Sequence, residues 1–400
     1  MQKNDKLYLC LFDISIFFLL CWGCHAWFTW RLDYIDTKFR LFVLSFFCCI
    51  AWAYKNHYKI RIVRVDLMSC GIVFFMIARC FPLQNLFALI ESLLYGFFTI
   101  YPITVLFSDR INAKCHLVFI SNALAVILSV GLVLWFYVSF VSLLPGWPIA
   151  YNNNNESYVF FNYGIMLKSV FWQHIDSIRF QSIFLEPGTL GQLSALMLYA
   201  NRFDLSKSCN RVLLLSCICS FSLAGYIIAF LAYGLVTFQK KGVVQAMVVI
   251  PLLLLSIYYI GISYNGGNNE FNHRILERLE FDDEKIISGN DRFHGDTDAV
   301  YRTLSENGGL MFGDSQAVNK YDISGAGYKL FFITNGIFSA ILYLLSHLLF
   351  VGIFKNKKYC LGFIALLIAV FIQASHPASY ASLVPFALGL SAFGRDDIFV

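Results

Sequence analysis

The chain has 400 residues, of which 58% are hydrophobic and 14% charged, whereas roughly a quarter of a soluble domain is charged. That balance excludes a soluble globular protein and points to an all-α, polytopic bundle of membrane-spanning helices, since several apolar runs reach the roughly 20 residues that cross a bilayer. The net charge of +5 identifies no partner, because the placement of Lys and Arg carries the information.

Spans are expected at about Leu7–Trp27, Phe39–Tyr54, Leu67–Phe81, Leu86–Phe107 and His116–Leu143, a five-span bundle over residues 1–143. Lys3 and Lys6 precede the first run, and no small-residue cleavage site follows it, so it reads as a retained span. Lys55, Lys59, Arg61 and Arg64 lie in one connecting loop, and Arg110 and Lys114 in another. Basic loops stay in the cytoplasm, which puts the N-terminus inside and residue 144 outside. Arg31 and Lys38, in the first outer loop, fit less well.

Residues 144–187 form an outer loop with Pro145-Gly-Trp-Pro148 and an Asn152–Asn155 run. Within it Val159–Phe171 is apolar and aromatic and is expected to lie along the membrane interface. A span follows at about Gly188–Ala200. The next run, Val212–Phe238, reads as two short helices broken near Ser220-Phe-Ser-Leu-Ala-Gly225. A single helix there would place Lys240, Lys241 and Lys355 outside and the acidic loop inside. A span at Val244–Ser263 completes the segment 188–263. The outer loop 264–326 holds Arg274, Arg278, Arg292 and Arg302 among many acids, with helices expected at Glu270–Phe281 and at Asp296–Asn307, the second ended by Gly308-Gly309. Three spans, Leu330–Phe354, Tyr359–Ile372 and Ser382–Phe393, fill 327–400. The total is about twelve, with both termini inside. The twelve cysteines avoid both long outer loops, which fits an oxidising exterior.

Polar chemistry concentrates in Ile178-Arg-Phe-Gln-Ser-Ile-Phe-Leu-Glu-Pro-Gly188, at the lip of a span. Arg179 either snorkels or grips a phosphate through paired hydrogen bonds. Glu186, just before Pro187, either caps the following helix or acts as a general base toward a sugar hydroxyl. Arg292 and Arg302 are the favoured loop cations to neutralise a pyrophosphate, with Arg274 and Arg278 next. His376, in Gln373-Ala-Ser-His-Pro377 on the outer side, is a turn residue or a proton carrier. Inside spans lie Asp13, Arg79, Glu91 and His347; Arg79 and Glu91 either pair with each other or serve function. The sequence contains no metal-ligand cluster, phosphate-binding loop or nucleotide fingerprint, so neither a metal nor another cofactor is expected, and no nucleic acid partner.

Arg179-x-x-Ser182-x-Phe184-x-Glu186-Pro187-Gly188 before a span resembles the bacterial O-antigen polymerase and O-antigen ligase superfamily. Ser220–Gly225, Phe312-Gly313-Asp314, Gly325-Ala-Gly-Tyr328 and Asn335-Gly336-Ile337 follow in the matching order over roughly the last 220 residues. The resemblance implies a membrane glycosyltransferase working outside the inner membrane on undecaprenyl-diphosphate-linked oligosaccharide, with Arg179, a long-loop arginine and His376 as functional positions. A chain-length-regulating membrane protein is a possible partner. Gly327-Tyr328-Lys329 replaces the His-Asn pair associated with ligases, which favours a polymerase. The rivals are an O-antigen ligase and, from another class, a lipid-linked-sugar flippase. The flippase fits less well because the ionisable residues gather outside the spans.

Overall fold

The computed structural model describes residues 3–395 apart from 63, 84, 143, 154–155, 170–177, 242–258, 260–261, 268, 270–271, 273–275, 277–292, 315, 322, 326 and 374–377. The first helices are α1 (Lys3–Gly23), α2 (Trp30–Tyr34), α3 (Thr37–His57), α4 (Val65–Arg79), α5 (Leu86–Ser108) and α6 (Ala113–Phe140). Strands β1 (Trp147–Asn153), β2 (Glu156–Asn162) and β3 (Leu167–Ser169) precede α7 (Pro187–Ala200), α8 (Ser208–Cys219) and α9 (Leu223–Lys241). Then come β4 (Phe293–Gly295), α10 (Thr297–Glu306), α11 (Ala317–Lys320), β5 (Ile323–Gly325), α12 (Tyr328–Gly352), α13 (Lys357–Gln373) and α14 (Tyr380–Phe393). The protein is mostly helical. Among the described residues six helices, α1, α3, α5, α6, α9 and α12, are long and apolar enough to cross a membrane. Each expected span before residue 242 or after 327 has its helix within one turn of the expected position. The run after residue 208 is broken at Ser220–Ser222 as its Ser and Gly content predicts. The expected span Val244–Ser263 and helix Glu270–Phe281 lie largely outside the described residues.

The chain forms two compact units. The first comprises residues 1–20, 31–117 and 292–400. In it α5 packs against α3, α4 and α14, and α12 runs along α4. Phe107 of α5 meets the rings of Phe350, Phe354 and Phe386 at 5.1, 6.0 and 5.7 Å. Hydrogen bonds tie its chain turns together at one end: Arg64 donates to the Gly352 carbonyl at 3.2 Å, Arg395 to the Phe107 carbonyl at 2.6 Å, and the Asn356 amide to the Gly394 carbonyl at 2.8 Å. The basic loops expected to be cytoplasmic thus share one end of this unit. At the other end the α4–α5 turn meets the end of the long loop, where Phe81 stacks on Phe312 at 6.1 Å.

From residue 293 onward the described part of that loop folds into a small cap. β4 and β5 pair antiparallel, Phe293 opposite Gly325. Val300, Leu310, Ala317 and Ile323 bury against Ile333 of α12. The helix Asp296–Asn307 forms as expected, and Gly308 ends it in the left-handed region at φ 71°, which glycine enters without strain.

The second unit comprises residues 21–30 and 118–291. Here the all-α expectation needs correcting. Val159–Ser169 is not helical; it contributes to β2 and β3 of a three-stranded antiparallel sheet in the order β1-β2-β3. The cause is period-two burial: Phe160 is buried while Val159 is exposed, the alternation of a half-buried strand. Tyr151, Phe160 and Leu167 form its core with Trp30. Trp27 anchors it through Nε1 to the Gly164 carbonyl at 2.7 Å. α7 packs on both α8 and α9.

Candidate functional site

Arg179 and Glu186 flank the break between α8 and α9. The Phe180 amide donates to the Cys219 carbonyl at 2.9 Å, and Arg179 Nε donates to the Ser220 carbonyl at 3.2 Å. The extended strand entering α7 is therefore stitched to the C-terminus of α8, where unpaired carbonyls would otherwise remain. Trp135 Nε1 holds the Ile178 carbonyl at 2.6 Å, so the backbone on both sides of Arg179 is fixed and the guanidinium starts from a determined position. Phe221 sits at φ 46°. Ser222 Oγ accepts the Gly225 amide at 3.1 Å and starts α9.

Glu186 is the N-cap of α7, with Pro187 in the first turn, where its missing N–H costs nothing. The carboxylate makes no capping hydrogen bond and is exposed, so the capping role is not the one it takes. A methyl placed on Gly188 would lie 3.9 Å from both Glu186 Oε2 and Ser222 Oγ. The acid and the arginine thus border the same three-residue turn.

The turn is held by a close helix crossing. A Cβ on Gly191 would approach Gly225 Cα to 3.2 Å, and one on Gly225 would approach Gly191 Cα to 2.8 Å. Small residues let helix backbones meet in this way. The Glu-Pro-Gly and Ser-Phe-Ser motifs are therefore contact partners.

Arg302 lies in the other unit, exposed on α10. Arg274, Arg278, Arg292 and His376 lie outside the described residues. Arg79 does not pair with Glu91; its guanidinium stands 4.1 Å over the Tyr95 ring. A ring face inside a bundle takes a cation at less desolvation cost than a buried carboxylate pair requires.

In the first unit the other two motifs also meet. Gly336, at φ 86°, interrupts α12. The carbonyl of Ile333 takes the Asp314 amide at 2.7 Å from the loop. Gly313 lies so close that its Cβ would stand 2.6 Å from the Gly336 nitrogen. Thus Phe-Gly-Asp is a latch that fills a helix break. Asp314 also takes a 2.9 Å ion pair from Lys320, which holds its carboxyl below the usual range.

Sequence reasoning missed a buried polar cluster at the basic end. His116 bridges Asp13 at 2.5 Å and Asp109 at 2.9 Å. Tyr54 donates to Asp109 at 2.5 Å, and Asn112 donates to the Tyr54 hydroxyl at 2.9 Å. Burial pushes the Asp109 carboxyl up, but hydrogen bonds from His116, the Asn112 amide and Tyr54 outweigh it and leave it lowered. The cluster ties α1, α3 and the α5–α6 turn together. A buried carboxylate is tolerated only when it is paired and hydrogen-bonded in this manner.

No family model matches the chain, and no curated protein and no solved structure matches it. What is established is a mostly helical protein of membrane-spanning character.

Proposed function

We propose that this chain polymerises lipid-linked oligosaccharide repeat units (O-antigen) at the outer face of a bacterial inner membrane. About twelve spans and both termini in the cytosol go with this reading, with the basic end of the first unit facing the cytosol. The observation that supports it best is the Arg179–Glu186 pair around the Ser220–Ser222 turn: a backbone-fixed guanidinium and an uncapped, exposed carboxylate beside a broken helix.

In the reaction an acceptor sugar hydroxyl attacks the anomeric carbon of a glycan carried on undecaprenyl diphosphate. A new glycosidic bond forms, the bond from that carbon to the diphosphate oxygen breaks, and undecaprenyl diphosphate leaves. The acceptor proton goes to Glu186 or His376. Arg179, with Arg292, neutralises the departing diphosphate. Positioning and charge stabilisation supply the rate, with no metal or cofactor. A chain-length-regulating membrane protein remains a partner of this reading.

Arg179→Ala, expressed at the normal level, is expected to shorten cell-surface glycan on a gel to single repeats. Undiminished long chains would remove Arg179 from the mechanism. Deleting the protein separates polymerase from ligase: one attached repeat remains in the first case and none in the second.

A further inference from the structure

A separate cavity of about 230 Å³ lies at the α4–α5 turn of the first unit. Arg79, Ser92, Thr334 and Asn335 make its polar wall, and Phe81 and Leu89 belong to its apolar wall. The break at Gly336 places Asn335 there. Asn335 Nδ2 donates to Thr334 Oγ1 at 2.7 Å, and Thr334 Oγ1 to the Leu330 carbonyl at 2.8 Å. One amide hydrogen of Asn335 stays uncommitted among the described residues.

Arg79 is held from behind by the Tyr95 ring at 4.1 Å, with the Tyr343 and Tyr380 side chains close by. Among the described residues it has no ion pair. A guanidinium at a helix end in a membrane protein, facing a polar cavity with no carboxylate, is a charge without its counter-charge. The cavity has the room of about seven water molecules, too large for a structural water and below the roughly 300–1,000 Å³ of a drug-sized pocket. It suits a group the size of a phosphate or diphosphate. Beside it Leu83, Leu86 and Phe87 are 65%, 68% and 85% exposed, an apolar rim fit to lie against lipid chains.

We propose that this cavity binds a phosphoryl anion, with Arg79 as its charged partner and Asn335 and Ser92 as neutral hydrogen-bonding partners. The apolar rim favours phosphate carried on a lipid over phosphate free in solution. The site is distinct from the Arg179–Glu186 turn, and its failure or success is independent of the glycan reading.

The test uses the full chain in neutral detergent, with inorganic phosphate, pyrophosphate, farnesyl phosphate and, as the uncharged control, farnesol. Binding is followed by thermal unfolding and equilibrium titration. Farnesyl phosphate is expected to bind and raise the unfolding temperature, and farnesol is not. Arg79→Gln is expected to weaken binding by at least about tenfold, the loss of a charge-assisted hydrogen bond. Ser92→Leu, which fills the cavity and leaves Arg79 in place, is expected to weaken it as well, and it decides the matter should Arg79→Gln fail to fold. Lys207→Ala, at a partly exposed cation of the second unit, is expected to change nothing. Equal binding of inorganic phosphate and farnesyl phosphate supports the phosphoryl site and assigns it to the free anion. Wild-type binding by both Arg79→Gln and Ser92→Leu, or no binding of any phosphate probe by the folded protein, overturns the proposal.

Discussion

Gly225→Ala tests whether the α7–α9 crossing holds the Arg179 turn. The added Cβ would lie 2.8 Å from Gly191 Cα and 3.0 Å from the Gly191 carbonyl carbon. Both atoms are backbone, so no rotamer relieves the contact. Reaching an ordinary carbon contact of about 3.8 Å needs the two helices to part by about 1 Å. Overpacking of this kind costs about 1–3 kcal/mol, while replacing glycine by alanine in a helix returns about 1 kcal/mol. The net loss therefore reaches about 2 kcal/mol, and the displaced helix start carries Ser220–Ser222 and the anchor of Arg179 with it. Gly188→Ala is the control, because its nearest neighbours stand at 3.9 Å, an ordinary contact. Thermal unfolding in detergent is expected to show Gly225→Ala melting below wild type and Gly188→Ala at or above it. Glycan length should fall with the first variant alone. A Gly225→Ala protein that melts no lower than Gly188→Ala refutes the crossing as the support of the turn.

Two further outcomes follow from the first unit. Gly336→Ala must hold φ near 86° with its Cβ 2.5 Å from the Phe312 carbonyl carbon; strain of about 1–3 kcal/mol plus that collision should release the latch, seen as faster proteolysis between residues 308 and 327. Asp109→Asn leaves His116 facing one carboxylate and should cost about 3 kcal/mol, the scale for breaking a buried pair, measured by thermal unfolding at neutral pH. The Asp109 carboxyl is lowered from its ordinary value of 3.8. Its contribution is thus fully present above about 3.8 and is lost as pH falls through the lower folded value. Wild type should lose stability on acidification below that point more steeply than Asp109→Asn.

The helices were legible because a membrane span announces itself by length and apolarity, and the ends of α10 are marked by Asp296 and Gly308. The break at Ser220 was legible through charge parity: only a broken run leaves Lys240 and Lys355 on the basic side. The β1–β2–β3 sheet was hidden, since aromatic residues at both odd and even positions of Val159–Phe171 mask the alternation that burial reveals. The Asp13–His116–Asp109 cluster was hidden for another reason. Asp13 and His116 stand 103 positions apart, and Asp109 sits in a loop whose basic residues dominated its interpretation. Arg79 and Glu91 have opposite charges across one turn, yet a ring four residues beyond Glu91 takes the guanidinium. Proximity along the chain identifies neighbours, and packing chooses among them.

Glycines of the motifs that carried the family resemblance make close contacts, Gly225 with Gly191 of α7 and Gly313 with Gly336. Each pair lies beside an interrupted helix, and each interruption has an arginine near it, Arg179 at Ser220 and Arg79 at the cavity by Asn335. A helix broken within a membrane protein frees backbone groups that must be covered, and close glycine contacts let a neighbouring segment cover them. The glycines are accordingly a solution to packing, and a chain with another activity and the same broken helices would need them too. Chemistry has to be sought in the polar side chains that the breaks expose. This is why variants of Arg179, Glu186 and Arg79, rather than of the motif glycines, discriminate between functions, while glycine variants act on function only through the fold.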